Sequence, residues 1–278
     1  MAAVVTLYAF PASHCSQKVR LALAEKQVPY TNRFVDIEMR LQNFEPWYMK
    51  LNPKGVVPTL IHGERVVTDS AHIIRYIDEA FEGPPLVPGD PAERESMQRW
   101  IDEQDRLRIR ELTFGTMKGA LGFALRKVSM PRRKAKLQRL GNANPDLAKL
   151  YEAKIEDLGQ WRASITSEAE VAGIRRQLED VLGHVDEQLG KTRYLACDSY
   201  SLADVAWTCI FARLTMLGLS ASLWEKTRFP LVKAYYEYLR SRPSFAAAEI
   251  WEGPPSWSTR RALLKAMVTG SGLSQVAP

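Results

Sequence analysis

The sequence predicts a small α/β domain built on a mixed sheet, followed by an all-helical domain. Three observations predict it. Strand and helix signals alternate through residues 1–81, a Pro/Gly-rich break occupies 83–91, and beyond that break apolar residues recur at helical spacing while strand signals nearly vanish.

Taken in order, "VVTLYAF" is apolar and β-favouring, a first strand. "SQKVRLALAEK" places Val19, Ala22 and Leu23 on one helical face. "TNRFVDI" reads as a second strand, expected parallel to the first because a helix crosses between them. A loop with a short helix follows. "VVPTLIH" and "RVVTD" flank "GE" and predict a hairpin. "SAHIIRYIDEAF" then puts Ile73, Ile74, Ile77 and Phe81 on one stripe. In the break, "GPPLVPGDP", Asp90 is placed to cap the next helix with Pro91 at its first position. "NPDLAKLYEAKIEDL" spaces Leu147, Leu150, Tyr151, Ile155 and Leu158 helically, and "IRRQLEDVLGHVDEQLG" does the same from Ile174 to Leu189, with Gly190 as a stop. "YSLADVAW" is a capping box, Ser201 capping and Asp204 reaching back, with Tyr200 and Val205 at staple positions. The helix it opens is apolar nearly all round and is expected to be central, which makes Cys209 a core residue; Cys197 falls in a loop. The division expected is 1–83, a linker at 84–90, a helical domain at 91–260 and a tail at 261–278 carrying at most a short helix.

Composition narrows the function classes. The chain has 278 residues, 46% of them hydrophobic and 25% charged, enough for two cores. No window of eighteen uninterrupted apolar residues occurs, so no membrane span is expected. The N-terminus does not read as a signal peptide. Three scattered cysteines exclude a disulfide scaffold, and neither they nor four histidines show metal-ligand spacing, so no metal site is expected. A cytoplasmic setting fits that cysteine usage. The net charge of +6 favours anionic ligands. Much of it lies in "RKVSMPRRKAKLQR", residues 126–139, which reads as a solvated, partly disordered helix connection. With no nucleic-acid motif beside it, nucleic acid is not an expected partner.

Three features carry possible chemistry. In "SHCSQKV", Cys15 stands where strand and loop hand over to a helix, a position whose free N–H groups and dipole favour a thiolate. Ser13 and Ser16 flank it with hydroxyls able to donate to sulfur. The position alone suits an inert buried cysteine almost as well. Lys18 occupies the place where a dithiol motif has its second cysteine, so any disulfide of Cys15 needs a small thiol or another chain. In "VVPTL", a cis bond before Pro58 would expose the Val57 N–H and C=O to an extended peptide; a plain trans proline is the ordinary case. In "TDSAHII", Ser70 is a natural cap, the helix start suits a carboxylate, and Asp69 suits an ammonium. Together they describe a site for a short thiol peptide: thiol at Cys15, backbone at Val57, amino-acid end at Asp69 and Ser70.

These residues resemble the glutathione transferase superfamily over positions 4 to about 250: the strand-to-helix Cys or Ser, "NPKGVVPTL", the "DS" pair and the "SLAD" box. The resemblance implies a thioredoxin-like domain followed by an all-α helical bundle, glutathione as cosubstrate held by Lys54, Val57, Pro58, Asp69 and Ser70, and a homodimer. Tyrosine-based classes keep their tyrosine at the end of the first strand; here that place is Ala9, with Tyr8 one position off. "SHCSQKVR" is similar to the pattern of the hydroquinone reductive dehalogenases, and "NFEPWYMKLNPKGVVPTLIHGERVVTDS" to the same branch. That likeness implies Cys15 as redox nucleophile assisted by Ser13, acting on a small aromatic electrophile. The helical part also resembles the ganglioside-induced differentiation-associated proteins, which carry a C-terminal membrane anchor; the short, polar tail is expected to set this chain apart from them there. Beta-aryl etherases share the "NPKG" and "YSLAD"-like segments. Two other functions therefore stay open: transfer, ether cleavage or isomerisation with a serine holding the glutathione thiolate, and a non-catalytic glutathione-binding interaction module. Trp100, Leu107, Phe114 and Met117 are candidates for the electrophile pocket, or for plain helix packing.

Overall fold

Alternation of inward Val5, Leu7 and Ala9 makes β1 (Val5–Ala9), and the computed structural model, which describes residues 4–224 and 228–253, builds the rest of the sheet around it. α1 (His14–Glu25) leads to β2 (Thr31–Phe34), parallel to β1 as the crossover requires. A 3₁₀ turn (Gln42–Phe44) and α2 (Pro46–Leu51) precede the hairpin of β3 (Thr59–His62) and β4 (Arg65–Thr68). The strand order is β2-β1-β3-β4, with β3 antiparallel to both neighbours. α3 (Ser70–Ala80) buries Ile73, Ile74 and Ile77 as its stripe predicts. Asp90 caps α4 (Pro91–Arg106) by accepting from the N–H groups of Ala92 and Glu93, with Pro91 at the first position.

The remainder of the described chain is helical: α5 (Ile109–Gly115), α6 (Gly119–Ala124), a π-helical turn (Leu125–Ser129), α7 (Met130–Ala143), α8 (Ala148–Thr166), α9 (Glu168–Leu189), α10 (Leu202–Met216), α11 (Ser220–Leu223), α12 (Pro230–Arg240) and α13 (Pro243–Ala247). The capping box of α10 is formed: the Asp204 carboxylate accepts from the Ser201 N–H and hydroxyl at 2.7 and 2.9 Å. Every residue of α10 from Leu202 to Leu214 is buried, so the all-round apolar pattern does mark a central helix. The expected tail helix beyond residue 253 lies outside the described residues.

Within the described residues, contacts group the chain into two compact units. One draws on the described residues up to Phe34, on Pro58–Leu107 and on the described residues from Leu178 onward, the other on Val35–Val57 and Arg108–Gln177. The first contains the sheet, α1, α3, α4 and α10. The second has its own core, where Leu41, Phe44 and Met49 pack with Leu137, Leu140, Tyr151 and Trp161. The basic stretch 126–139 keeps the solvated expectation at Lys127, Arg132, Lys134 and Arg139, which are exposed, and departs from the partly disordered one. It is helical, and cations on its inner side are paired: Arg133 with Glu38 at 2.6 Å and Lys136 with Glu45 at 2.5 Å. Those carboxylates lie about ninety residues upstream, which is why the local charge run does not announce them.

Candidate active site

The sheet register gathers the candidate residues of the first unit at one end. Tyr8 pairs with Thr59 and Thr59 with Thr68, so the three form one row across β1, β3 and β4. The chain leaves that row through Ala9 towards Cys15, through Asp69 into α3, and backwards through Pro58. Two helices therefore begin at this end, and both present their unsatisfied N–H groups and positive dipole ends to it.

At the first of these starts Ser13 is the N-cap of α1, its hydroxyl accepting the Ser16 N–H at 3.3 Å. Ser16 is fully buried, and its hydroxyl accepts the Phe10 N–H at 3.3 Å. Both serines thus order the loop around Cys15. The sulfur of Cys15, a free and half-buried thiol, lies 3.4 Å from Nε2 of His14. Burial first, then the charges of Arg213 and Lys18, push His14 down to about 3 against a smaller opposing pull from Asp105. Its imidazole is neutral throughout the physiological range. Lys18 is itself buried, with Nζ 3.2 Å from Asp105 of α4. Arg213 reaches in from the last turn of α10: Nη2 donates to the Ala12 carbonyl, and the guanidinium interacts electrostatically with Cys15. Cys209, one turn earlier on α10, also feels Cys15, but burial pushes its thiol up to about 12. His14 and Arg213 are the two neighbours of the sulfur that sequence reasoning missed. His14 was readable from its adjacency; Arg213 was hidden inside an otherwise apolar helix.

The second start corrects an expectation. Ser70 is not the cap of α3. Asp69 is, accepting the Ala71 N–H at 3.1 Å from a backbone with φ of 74°. A non-glycine residue held at positive φ at the end of a hairpin is strained, and such strain collects at binding sites. Ser70 becomes the first helical residue, its N–H among those pointing out of the helix start.

Lys54 and Val57 belong to the second unit, just ahead of the boundary at Pro58. Their loop is held by buried polar side chains that sequence reasoning did not single out. The Tyr48 hydroxyl and Asn52 Nδ2 donate to the Val56 carbonyl at 2.8 and 2.9 Å, Asn43 Nδ2 donates to the Gly55 carbonyl at 2.8 Å, and Asn52 Oδ1 accepts the Lys54 N–H at 3.2 Å. Gly55 has φ of +57°, and a Cβ there would meet the Met49 sulfur at 2.9 Å, so the glycine of "NPKG" is a conformational requirement. Among the described hydrogen bonds none uses the Val57 N–H or C=O.

The four pocket candidates divide between the two units. Trp100 and Leu107 fall in the first unit, and Trp100 stands edge-on to Trp207. Phe114 and Met117 fall in the second, and Phe114 stands edge-on to Trp161. Among the described residues no cluster of His, Cys, Asp and Glu is arranged to hold a metal ion, and no helix is long and apolar enough to cross a membrane.

Comparison with known proteins adds the following. Residues 7–85 match the family model for the glutathione S-transferase N-terminal domain, and residues 143–243 the model for the C-terminal domain. The chain is 34% identical over 258 residues to tetrachloro-p-hydroquinone reductive dehalogenase of Sphingobium chlorophenolicum, covering 91% of this chain and 97% of that one. It is 30% identical over 255 residues to FtsZ-localized protein A of Caulobacter vibrioides, covering 89% and 92%. Among solved structures, the beta-etherase LigF of Sphingobium sp. strain SYK-6 superposes with a TM-score of 0.69 at 24% identity, over 88% of this chain and 98% of that one.

Proposed function

The chain belongs to the glutathione S-transferase family of enzymes, whose cosubstrate is glutathione, and from that premise we propose that it is a glutathione-dependent reductive dehalogenase of hydroquinone-like electrophiles. The observation that carries this reading is the place of Cys15: an accessible sulfur at a helix start, against a neutral imidazole, at the end of the sheet where Asp69 and α3 also begin. The identity to a reductive dehalogenase along nearly its full length supports it.

The cradle would take glutathione in three parts. Asp69 meets the α-ammonium and the N-terminal N–H of Ser70 the α-carboxylate of the γ-glutamyl residue. The Val57 N–H and C=O pair with the central backbone, ahead of Pro58. Cys15 is the group assigned to the thiol, and Lys54 is the cation assigned to the remaining carboxylate. In the reaction, glutathione thiolate attacks the halogenated carbon and halide leaves. Cys15 thiolate attacks the sulfur of the conjugate; the carbon–sulfur bond breaks, and the aromatic carbon takes a proton. A Cys15–glutathione disulfide remains. A second glutathione thiolate attacks it, giving oxidised glutathione and Cys15 thiolate. Two glutathiones are oxidised as one carbon–halogen bond is reduced to carbon–hydrogen. Cys209 does not take the place of the second glutathione, because its buried thiol, at about 12, is protonated.

The test is Cys15→Ser with tetrachlorohydroquinone and glutathione. Turnover to the dechlorinated product is expected to stop and the glutathione conjugate to accumulate. Full turnover with no trapped conjugate would show that Cys15 is not the redox group. A second reading, a non-catalytic interaction module, draws on the identity to FtsZ-localized protein A. Glutathione binding too weak for calorimetry would favour it.

A further inference from the structure

Buried cations in proteins are paired, because an isolated charge taken out of water is costly. Arg213 is 8% exposed, yet among the described residues no ion pair includes it. Its described bonds are a donation from Nη2 to the Ala12 carbonyl and a weak contact of Nη1 with the Met216 sulfur at 3.8 Å. Arg20, the other buried arginine of this region, is satisfied differently, by the carbonyls of Ala248, Glu249 and Pro11. A counter-ion for Arg213 is missing from the ordinary carboxylates. The groups of opposite tendency near it are the sulfurs of Cys15 and Cys209, and Cys15 lies three residues beyond the carbonyl that Arg213 holds.

We propose that Arg213 is a positioning residue for Cys15: from α10 it fixes the loop before α1 through the Ala12 carbonyl and supplies the permanent positive charge against which the sulfur carries its negative one. The inference rests on the redox reading of Cys15. Charge accumulates on that sulfur twice in the cycle, when it attacks the conjugate and when it leaves the mixed disulfide. A fixed guanidinium serves both moments without moving a proton. Of the other titratable groups near the sulfur, Lys18 alone is also a cation, and its charge is shared with a carboxylate. His14 is neutral, Lys18 is paired with Asp105, and Cys209 is a protonated thiol. Because His14 falls to about 3, it does not titrate between pH 5 and 10, and a reactivity profile over that range reads the sulfur itself.

The experiment is alkylation of Cys15 by iodoacetamide in the full chain, without glutathione or aromatic substrate, followed by peptide mass spectrometry from pH 5 to 10. Arg213→Gln removes the charge and keeps a polar, hydrogen-bonding side chain, shorter than the guanidinium that reaches Ala12. It is expected to slow alkylation at pH 7 about tenfold. Arg213→Lys keeps the charge and is expected to restore most of the rate. Folding of each variant is checked by its unfolding midpoint. A folded Gln variant with the wild-type profile overturns the proposal; so does a Lys variant as slow as Gln. If Gln does not fold, Arg213→Met and Lys decide by the same comparison. Because no catalytic turnover is measured, failure here is distinct from failure of the dehalogenase reading, which the Cys15→Ser turnover assay reports.

Discussion

His14 lies beside Cys15, where a histidine invites the role of general base, but its surroundings deny it a proton. Burial and the positive charges of Arg213 and Lys18 push it to about 3, whereas an unfolded chain would titrate it near 6.5. The sign of the consequence is fixed by which state binds the proton. Between pH 6.5 and about 3 the unfolded chain protonates His14 and the folded chain does not, so stability is fully present above 6.5 and is lost as pH falls through that window. Urea midpoints of the wild type are therefore expected to fall over it, and those of His14→Gln to fall less steeply. Parallel curves for the two proteins would show that His14 is not depressed in the fold. The same property means that Nε2 acts towards the sulfur as a neutral hydrogen-bonding group whose direction follows its tautomer.

At the scale of elements, the loop that ends at Val57 depends on side chains rather than on regular pairing. Asn52, 1% exposed, holds both the Val56 carbonyl and the Lys54 N–H. Asn52→Ala leaves the Val56 carbonyl to the Tyr48 hydroxyl and takes the Asn52 acceptor from the Lys54 N–H. It is expected to cost about 0.5–1.5 kcal/mol in urea unfolding and to weaken glutathione binding measured by calorimetry, since Val57 lies three residues after the lysine it fixes. Unchanged affinity in a destabilised variant would separate the loop from the cradle. Elements with local signals were legible in the sequence: the β3–β4 hairpin around "GE", Asp90 and Pro91 opening α4, and the Ser201–Asp204 box opening α10. What was not legible depends on partners distant in the chain. Asp69 caps α3 in place of Ser70 because the hairpin delivers it at positive φ, and no residue-type preference encodes that. The cations of α7 find Glu38 and Glu45 only once the second unit is assembled. Arg213 is a single charge in an apolar helix, and only the fold says which loop it meets.

The same contrast between local and distant partners governs the whole molecule. A boundary at the prolines of 84–90 is a division along the chain, whereas the compact units are each assembled from separated stretches. In the first unit α1 depends on the far end of the described chain. Arg20 donates to the Ala248 and Glu249 carbonyls, Glu25 accepts from Arg242 and Ser244, and Gln17 accepts the Trp251 N–H. In the second unit the segment 35–57 places Leu41, Phe44 and Met49 against α7 and α8, and the Tyr151 hydroxyl donates to the Phe44 carbonyl at 2.8 Å. A fragment of residues 1–90 keeps the sheet but loses every one of these partners. It exposes three core side chains of its own middle segment and leaves Arg20 and Glu25 without the groups that satisfy them. Burial of an apolar side chain contributes roughly 1.5–3 kcal/mol, so these losses together are comparable with the whole stability of a domain, about 5–15 kcal/mol. The fragment is expected to show no cooperative unfolding transition by circular dichroism and a poorly dispersed amide spectrum, while the full chain unfolds sharply. A cooperative transition and dispersed amides in the fragment would mean that the sheet and α1 are self-sufficient, and that the long-range contacts of α1 add to a fold already formed.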